Sequence, residues 1–488
     1  MTFERVGLLW WAGSWRHVDA ATYLRLLPFG ALTGVACLTM LWRARSQERS
    51  VWIVGLVSLA LAALWRTVIH PPSGDEPAML LAAWSWLRTG SADLSGAWDP
   101  AAAEWSRAIE FRDRLVQDHT IGRPGGPCYT YHGVVLPQVF GLLLFPFGRF
   151  GLALALVGVS ALAARWTAAA ATAVLGRRPS PEWLAWVLVG SPVAVYTIFT
   201  GPDLWGAALF ALGLLGLAWR RPALAAAAVA LLPWVHHKEV FPALGLILGA
   251  WMLSPREGFL VSAAALGSGI PEMLWVGEKI GLALWSPAAV LARHASYGAA
   301  WSPAVWLVSA PGLLVDRWAG LVWYPAGILA VAGCGWLVAR GGRVARAVQA
   351  AAVPYVLALL SFSMWAGGNG APARQLASVF PAIAVGAAVL DRRLTAGPSR
   401  TAWRVALWLS LANAHVMLFL PPLAFESARL KVEALVQART GIAFLSLLPE
   451  LSEPSRSTGP GWGAAAWMLV ILVAWAGLVA RLRQRTGR

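Results

Sequence analysis

Long apolar runs separated by short polar breaks, most of them carrying arginine, fill almost the whole chain. The runs at 24–42, 51–69, 151–175, 182–199, 204–219, 222–235, 240–253, 258–275, 323–339, 347–365, 376–390, 402–420 and 463–480 predict helices. About 20 apolar residues in a helix cross the hydrocarbon core of a bilayer, and the helix pairs every backbone group that lipid cannot. The segment 134–147 is shorter and is broken by Pro137 and Pro146, which suits an interfacial or re-entrant piece better than a crossing. The predicted fold class is therefore an all-α polytopic membrane protein with about 11–13 transmembrane helices.

The polar breaks give an orientation. Arg43, Arg45 and Arg49, then Arg177 and Arg178, Arg220 and Arg221, Arg256, Arg340, Arg343 and Arg346, Arg392, Arg393 and Arg400, and the tail from Arg481 to Arg488 fall between runs. Placing each in the cytoplasm gives a consistent alternating path, provided 134–147 does not cross. The opposite face then receives 70–133, 200–203, 236–239, 276–322, 366–375 and 421–462. Of the 23 carboxylates, 8 lie in 70–133 alone. In that loop, Leu80, Ala83, Trp84 and Leu87 share one face of a short helix over 77–88, and Pro77 suits its first turn. Trp105 and Ile109 mark one side of a more polar helix over 101–118; both helices suit the membrane surface.

Composition closes off other classes. The 488 residues are 58% hydrophobic and 13% charged, with a mean hydropathy of +0.62, whereas soluble domains carry about 25% charged residues. A soluble enzyme, a disordered chain and a coiled coil are excluded. The net charge of +16, from 36 Arg and 3 Lys, follows the topology signal and implies no nucleic-acid partner. The rarity of lysine singles out Lys238. Cys37, Cys128 and Cys334 stand far apart and form neither a disulfide framework nor a zinc motif. No cleavable signal peptide is expected, because Arg5, Arg16 and Arg25 leave the first residues without a clean apolar core.

Four stretches carry candidate chemistry. Ser73-Gly74-Asp75-Glu76-Pro77 puts two carboxylates at a helix start beside the membrane boundary. They suit capping by the helix dipole and, equally, a general base for an acceptor hydroxyl. Tyr129-Thr130-Tyr131-His132-Gly133 closes the same loop, where Tyr and His serve as interfacial anchors or as substrate contacts. Trp234-Val235-His236-His237-Lys238-Glu239 sets four ionisable groups in a row between apolar runs, which is costly unless they line a cavity. They read as a solvated hairpin tip or as a cationic pocket for a phosphate; a metal site has no matching carboxylate spacing. Trp365 to Gln375 is an irregular Gly- and Pro-rich stretch from which Arg374 offers a donor fork to phosphate oxygens or headgroups. Asp203 in Gly201-Pro202-Asp203 is a lone carboxylate in a tight outer turn, and Asp316-Arg317 reads as a local ion pair. Arg165 falls inside a predicted span.

Taken in order over roughly 50–420, these pieces resemble the GT-C superfamily of integral-membrane glycosyltransferases, in its protein-mannosyltransferase-like and aminoarabinose-transferase-like branch. Gly74-Asp75-Glu76-Pro77 resembles the acidic motif of the family's first extracytoplasmic loop. Tyr131-His132-Gly133 with Leu136-Pro137 resembles the segment after it. Pro202-Asp203 sits where relatives carry a Tyr-Pro-Glu-like turn. Leu232 to Lys238 resembles the family's Pro-Trp-x-His-x-Lys stretch. Trp365 through Arg374 and Pro311 through Pro325 are similar too. The chain departs from the pattern at Ala78-Met79, where many relatives have His-Tyr, and at Asp203, where Glu is usual.

The resemblance implies a GT-C-type bundle with a long first extracytoplasmic loop. It divides the chain into an N-terminal segment with an extra helix (1–50), a GT-C-like core (51–420, with 70–133 as the catalytic loop), and a last loop, helix and basic tail (421–488). It implies a multi-pass plasma-membrane enzyme of the cell envelope, working on the extracytoplasmic face. The enzyme would move a sugar from a polyprenyl-phosphate-linked donor to a glycan, lipid or protein hydroxyl by inverting single displacement. Asp75 would be the general base and Glu76 its partner. His236 or His237, Lys238 and Arg374 would hold the departing phosphate, and Tyr131, His132 and Asp203 the substrate. No cofactor is required, and divalent metal is left open. A non-catalytic envelope-assembly scaffold and a transporter or flippase of lipid-linked substrate stand as alternatives.

Overall fold

The computed structural model describes residues 20–69, 76–91, 93–94, 120–122, 128–130, 135–280, 305–316, 320–362, 372–421 and 462–484. These are helical apart from an antiparallel pair, β1 (Thr120–Gly122) and β2 (Cys128–Thr130). The helices are α1 (Ala20–Ala44), α2 (Glu48–Ile69), α3 (Glu76–Thr89), α4 (Val135–Leu175), α5 (Pro181–Val189), α6 (Pro192–Val195), α7 (Pro202–Ala218), α8 (Pro222–Val235), α9 (Val240–Leu253), α10 (Pro255–Ile280), α11 (Trp306–Val315), α12 (Pro325–Arg340), α13 (Arg343–Ala350), α14 (Val353–Ser361), α15 (Phe380–Arg393), α16 (Pro398–Phe419) and α17 (Trp462–Gln484). Every predicted apolar run falls on one or more of them. The expected surface helix over 101–118 lies outside the described residues.

Among the described residues, five stretches are long and apolar enough to cross a membrane: Glu48–Thr67, Gly148–Leu175, Arg343–Ser361, Arg374–Arg393 and Pro398–Phe419. Shorter apolar helices surround them, so length alone supports fewer crossings than the predicted count. The outward-facing side chains are apolar as well. Phe29, Leu32, Ile53, Leu154, Leu244, Leu266, Leu469 and Val473 are all exposed. In water so much apolar surface would drive association; against lipid tails it is the expected exterior. The chain is a helical membrane protein.

Local sequence explains the breaks. Pro occupies the first turn of α5, α7, α8, α12 and α16, where its missing N–H costs nothing. The run predicted as one span over 182–199 is three pieces. α5 stops at Gly190, Ser191 caps α6 by accepting from the Ala194 N–H, and a 3₁₀ turn, Tyr196–Ile198, finishes the segment. α4 kinks at Gly148, whose φ of 57° and ψ of −150° suit glycine alone. The 135–147 arm beyond the kink packs against α3, with Gly141 close to Ala83 and Trp86. Arg165 is on the exposed face of α4, so it does not point into the bundle.

The arginine runs gather at one end. Arg404 donates to both oxygens of buried Glu182, at 3.0 and 2.5 Å, and Arg45 and Arg400 lie 3.9 and 3.7 Å from it. Asp391 binds Arg400 at 3.0 Å and the Ser180 N–H at 2.8 Å. Arg178 reaches Glu48, Arg220 reaches Glu257, and Arg393 stacks on Trp336. The starts or ends of α1, α2, α4, α5, α7, α10, α12, α15 and α16 therefore meet on the arginine side.

Candidate functional site

α7 runs through the middle of the bundle, packed against α4, α8, α9 and the 3₁₀ turn Arg374–Val379. Its first turn lies at the end away from the arginine network. Gly201 is extended and Pro202 starts the helix, which sets Asp203 in that turn. Asp203 is 1% exposed. A buried carboxylate needs partners, and two cations supply them. Lys238 Nζ binds Asp203 Oδ1, and Arg374 Nε lies 3.4 Å from Oδ2. Three stretches far apart in sequence thus meet at one carboxylate.

Each cation is held by a tight turn. Lys238 sits in the 3₁₀ turn His237–Glu239 between α8 and α9; His236 starts this turn, its Nδ1 accepting from the Lys238 N–H at 3.2 Å. The His236 and His237 rings lie 4.0 Å apart. Arg374 opens the turn Arg374–Val379 directly after Ala373, which has φ 57° and ψ 23°. A left-handed conformation costs a non-glycine residue about 1–2 kcal/mol, so surrounding packing fixes where Arg374 starts.

Behind the ion pairs lies Glu239, 0% exposed. Ser378 Oγ donates to its Oε1 at 2.7 Å, while Oε2 is buried with no hydrogen-bond partner. A methyl group at Gly206, one turn along α7 from Asp203, would lie 2.6 Å from the carboxyl; only glycine leaves that space. Tyr355, on α14, is buried beside Ser378 and feels the charges of Glu239, Asp203 and Arg374. Glu239 lies in the connection between two helices. Burial pushes its carboxyl up to about 7; Lys238 and the Ser378 hydrogen bond oppose that shift, and the Asp203 charge adds to it.

The acidic motif reaches the same region by another route. Glu76 begins α3 and is 4% exposed. Its Oε2 pairs with Arg66 of α2 and its Oε1 accepts from the Thr200 N–H at 2.7 Å. Thr200 is three residues before Asp203 in the chain. Arg66 lies over the Phe199 ring at 5.5 Å. Arg66, Glu76 and Arg149 line a small cavity with Thr67, Thr197 and Thr200.

Lys238, Arg374 and Asp203, with His236 and His237 on the adjoining turn, are therefore brought together. Two expectations meet a different geometry. Asp203 is buried as the counter-ion of the two cations rather than open to substrate, because a carboxylate at this depth is held by charge partners. Glu76 has both oxygens engaged, by Arg66 and by the Thr200 N–H, so it joins α3 to α2 and to the 196–203 segment. Asp75, Tyr131 and His132 lie outside the described residues. Among the described residues no group of three His, Cys, Asp or Glu side chains converges as metal ligands would. Sequence reasoning marked Glu239 only as one of four ionisable groups in a row, without a role, and missed Ser378, Tyr355, Arg66 and Arg149. An arginine within an apolar run was the available signal for Arg66.

Comparison with protein-family models, with curated proteins and with solved structures returned no match.

Proposed function

We propose that this protein is a membrane glycosyltransferase with a GT-C-type fold, acting at the extracytoplasmic face of the plasma membrane. It moves a sugar from a polyprenyl-phosphate-linked donor to an acceptor hydroxyl. The observation that carries this reading is the meeting of Lys238 and Arg374 at Asp203, at the bundle end to which Glu76 is tied through Thr200. A lipid phosphate needs cations at a membrane boundary, and an inverting transfer needs a carboxylate base beside them.

In the proposed reaction the acceptor oxygen attacks the anomeric carbon from the face opposite the phosphate. The new carbon–oxygen bond forms as the bond to the phosphate oxygen breaks. The acceptor proton passes to Asp75, and the electron pair leaves with the phosphate. Lys238 and Arg374 stabilise the charge developing there, turning part of their ion pairing from Asp203 to the phosphate oxygens. Asp203 keeps both cations oriented between turnovers.

Purified protein in proteoliposomes, given a radiolabelled polyprenyl-phosphate sugar, tests the reading. Wild type is expected to release polyprenyl phosphate, and Asp75→Asn to lose about 10²–10⁴-fold in rate while inserting normally. Near-normal transfer by Asp75→Asn removes that residue from the mechanism.

One observation favours a second reading. Both cations already have a protein carboxylate, as in a closed structural network, and this suits a non-catalytic scaffold. The absence of lipid-linked sugar turnover by wild type selects that alternative.

A further inference from the structure

We propose that Glu239 is a positioning residue: it clasps the two cation-bearing turns together as a neutral carboxyl, and so leaves the Lys238–Arg374 pair with a net positive charge for an anionic ligand. The inference rests on the donor-phosphate reading above and adds to it the residue that sets the site's geometry and charge.

Geometry carries the clasp. Glu239 adjoins Lys238 in the turn His237–Glu239, and its Oε1 accepts from Ser378 in the turn that Arg374 opens. This hydrogen bond joins the two turns directly. Gly206 closes the third side, since any side chain there would strike the carboxyl. The spacing of Lys238 and Arg374 around Asp203 is thus fixed from behind by a group that touches neither cation's head.

The charge follows from what faces Glu239. Among the described residues, the ionisable neighbours are Asp203 on α7, Lys238, His236 and His237 on its own turn, Tyr355 on α14 and Arg374 on the facing turn. Lys238 Nζ goes to Asp203, and the second carboxyl oxygen of Glu239 has no partner. An ionised carboxylate in that position would have the Ser378 hydroxyl on one oxygen and no hydrogen-bond donor on the other, whereas a protonated one is tolerable. Among the described residues, two carboxylates would balance the two cations with Glu239 ionised, and Asp203 alone would oppose them with it protonated. The raised carboxyl, at about 7, agrees with this. The protonated form prevails at lower pH and is lost as pH rises through about 7.

The test uses the full-length protein in detergent and a prenyl methyl phosphodiester, whose single charge does not change between acid and mild alkali. Wild-type binding is expected to weaken about tenfold as pH rises through neutrality. Glu239→Gln keeps the acceptor for Ser378 and should lose most of that pH slope, keeping only the part that the retained His236 and His237 contribute. Glu239→Ala loses the clasp and should bind weakly throughout, and Gly206→Ala should weaken binding by displacing the carboxyl. His236 and His237 are unchanged in every variant, so the difference between wild type and Glu239→Gln isolates Glu239. An unchanged pH slope in Glu239→Gln, or tight binding by Glu239→Ala, overturns the proposal. If no preparation binds the phosphodiester, the donor reading fails by itself. Infrared spectroscopy then decides Glu239 independently: wild type at low pH should show a protonated-carboxyl carbonyl band that Glu239→Gln lacks, and the absence of that band overturns the assignment.

Discussion

Arg66 and Glu76 show what a buried charge does at the start of α3. Both are almost fully buried, at 2% and 4% exposure, and the Glu76 charge also acts on Arg149. Removing one member of such a pair strands the other, at a cost of about 3–5 kcal/mol, whereas replacing both with apolar residues can be nearly neutral. Glu76→Ala should therefore lower the melting temperature sharply, and Arg66→Leu with Glu76→Leu should recover much of the loss. Equal destabilisation of the single and double variants would show that the pair is not the cause. The double variant still removes the acceptor for the Thr200 N–H, so recovery is expected to stop short of wild type. At this scale the sequence was partly legible. It marked Lys238 and Arg374 as cations between apolar runs, but could not reveal that one carboxylate joins them. Glu239 was harder, because its burial depends on Ser378, 139 residues away in the chain, and on the missing side chain of Gly206.

Helix positions were legible because an apolar run between arginines has few other solutions in a membrane. Internal breaks were less so. The same apolar composition covers α5, α6 and the turn after them, and only the Ser191-Pro192 cap divides them. Contacts between helices were not legible at all, since they depend on which small residues face one another. α12 and α15 illustrate this. A methyl group at Gly333 would lie 2.1 Å from the Gly386 carbonyl oxygen, a backbone atom that cannot rotate away. Gly335, two residues along the same helix, has open space around its added methyl. Small residues that let helix backbones approach are a principal source of packing in lipid. Gly333→Ala should force the helices apart and cost several kcal/mol. Gly335→Ala should be neutral or stabilise by up to about 1 kcal/mol, because alanine favours the helix. Detergent melting curves of the two variants make the comparison; similar melting temperatures would mean that α12 and α15 are not held by this contact.

The whole molecule has a polarity that its parts share. One end carries Glu182 and Asp391 ringed by Arg45, Arg400 and Arg404, together with the Arg178–Glu48 and Arg220–Glu257 pairs. The other carries Asp203, Lys238, Glu239 and Arg374. Arginine-rich connections tend to stay on the cytoplasmic side of membrane proteins, and the proposed sugar transfer needs the candidate site on the opposite side, where a lipid-linked sugar would be presented. Exposed Thr89, at the end of α3 in the loop proposed to be extracytoplasmic, and exposed Ala396, between α15 and α16 beside the arginine network, test this orientation. After the three native cysteines are replaced by alanine, Thr89→Cys should react with a membrane-impermeant maleimide in intact cells. Ala396→Cys should react only once the membrane is opened. The reverse pattern would turn the Asp203 cluster toward the cytosol and, with it, remove the extracytoplasmic sugar-transfer reading, while leaving the helix packing and the clasp between the two turns as they are.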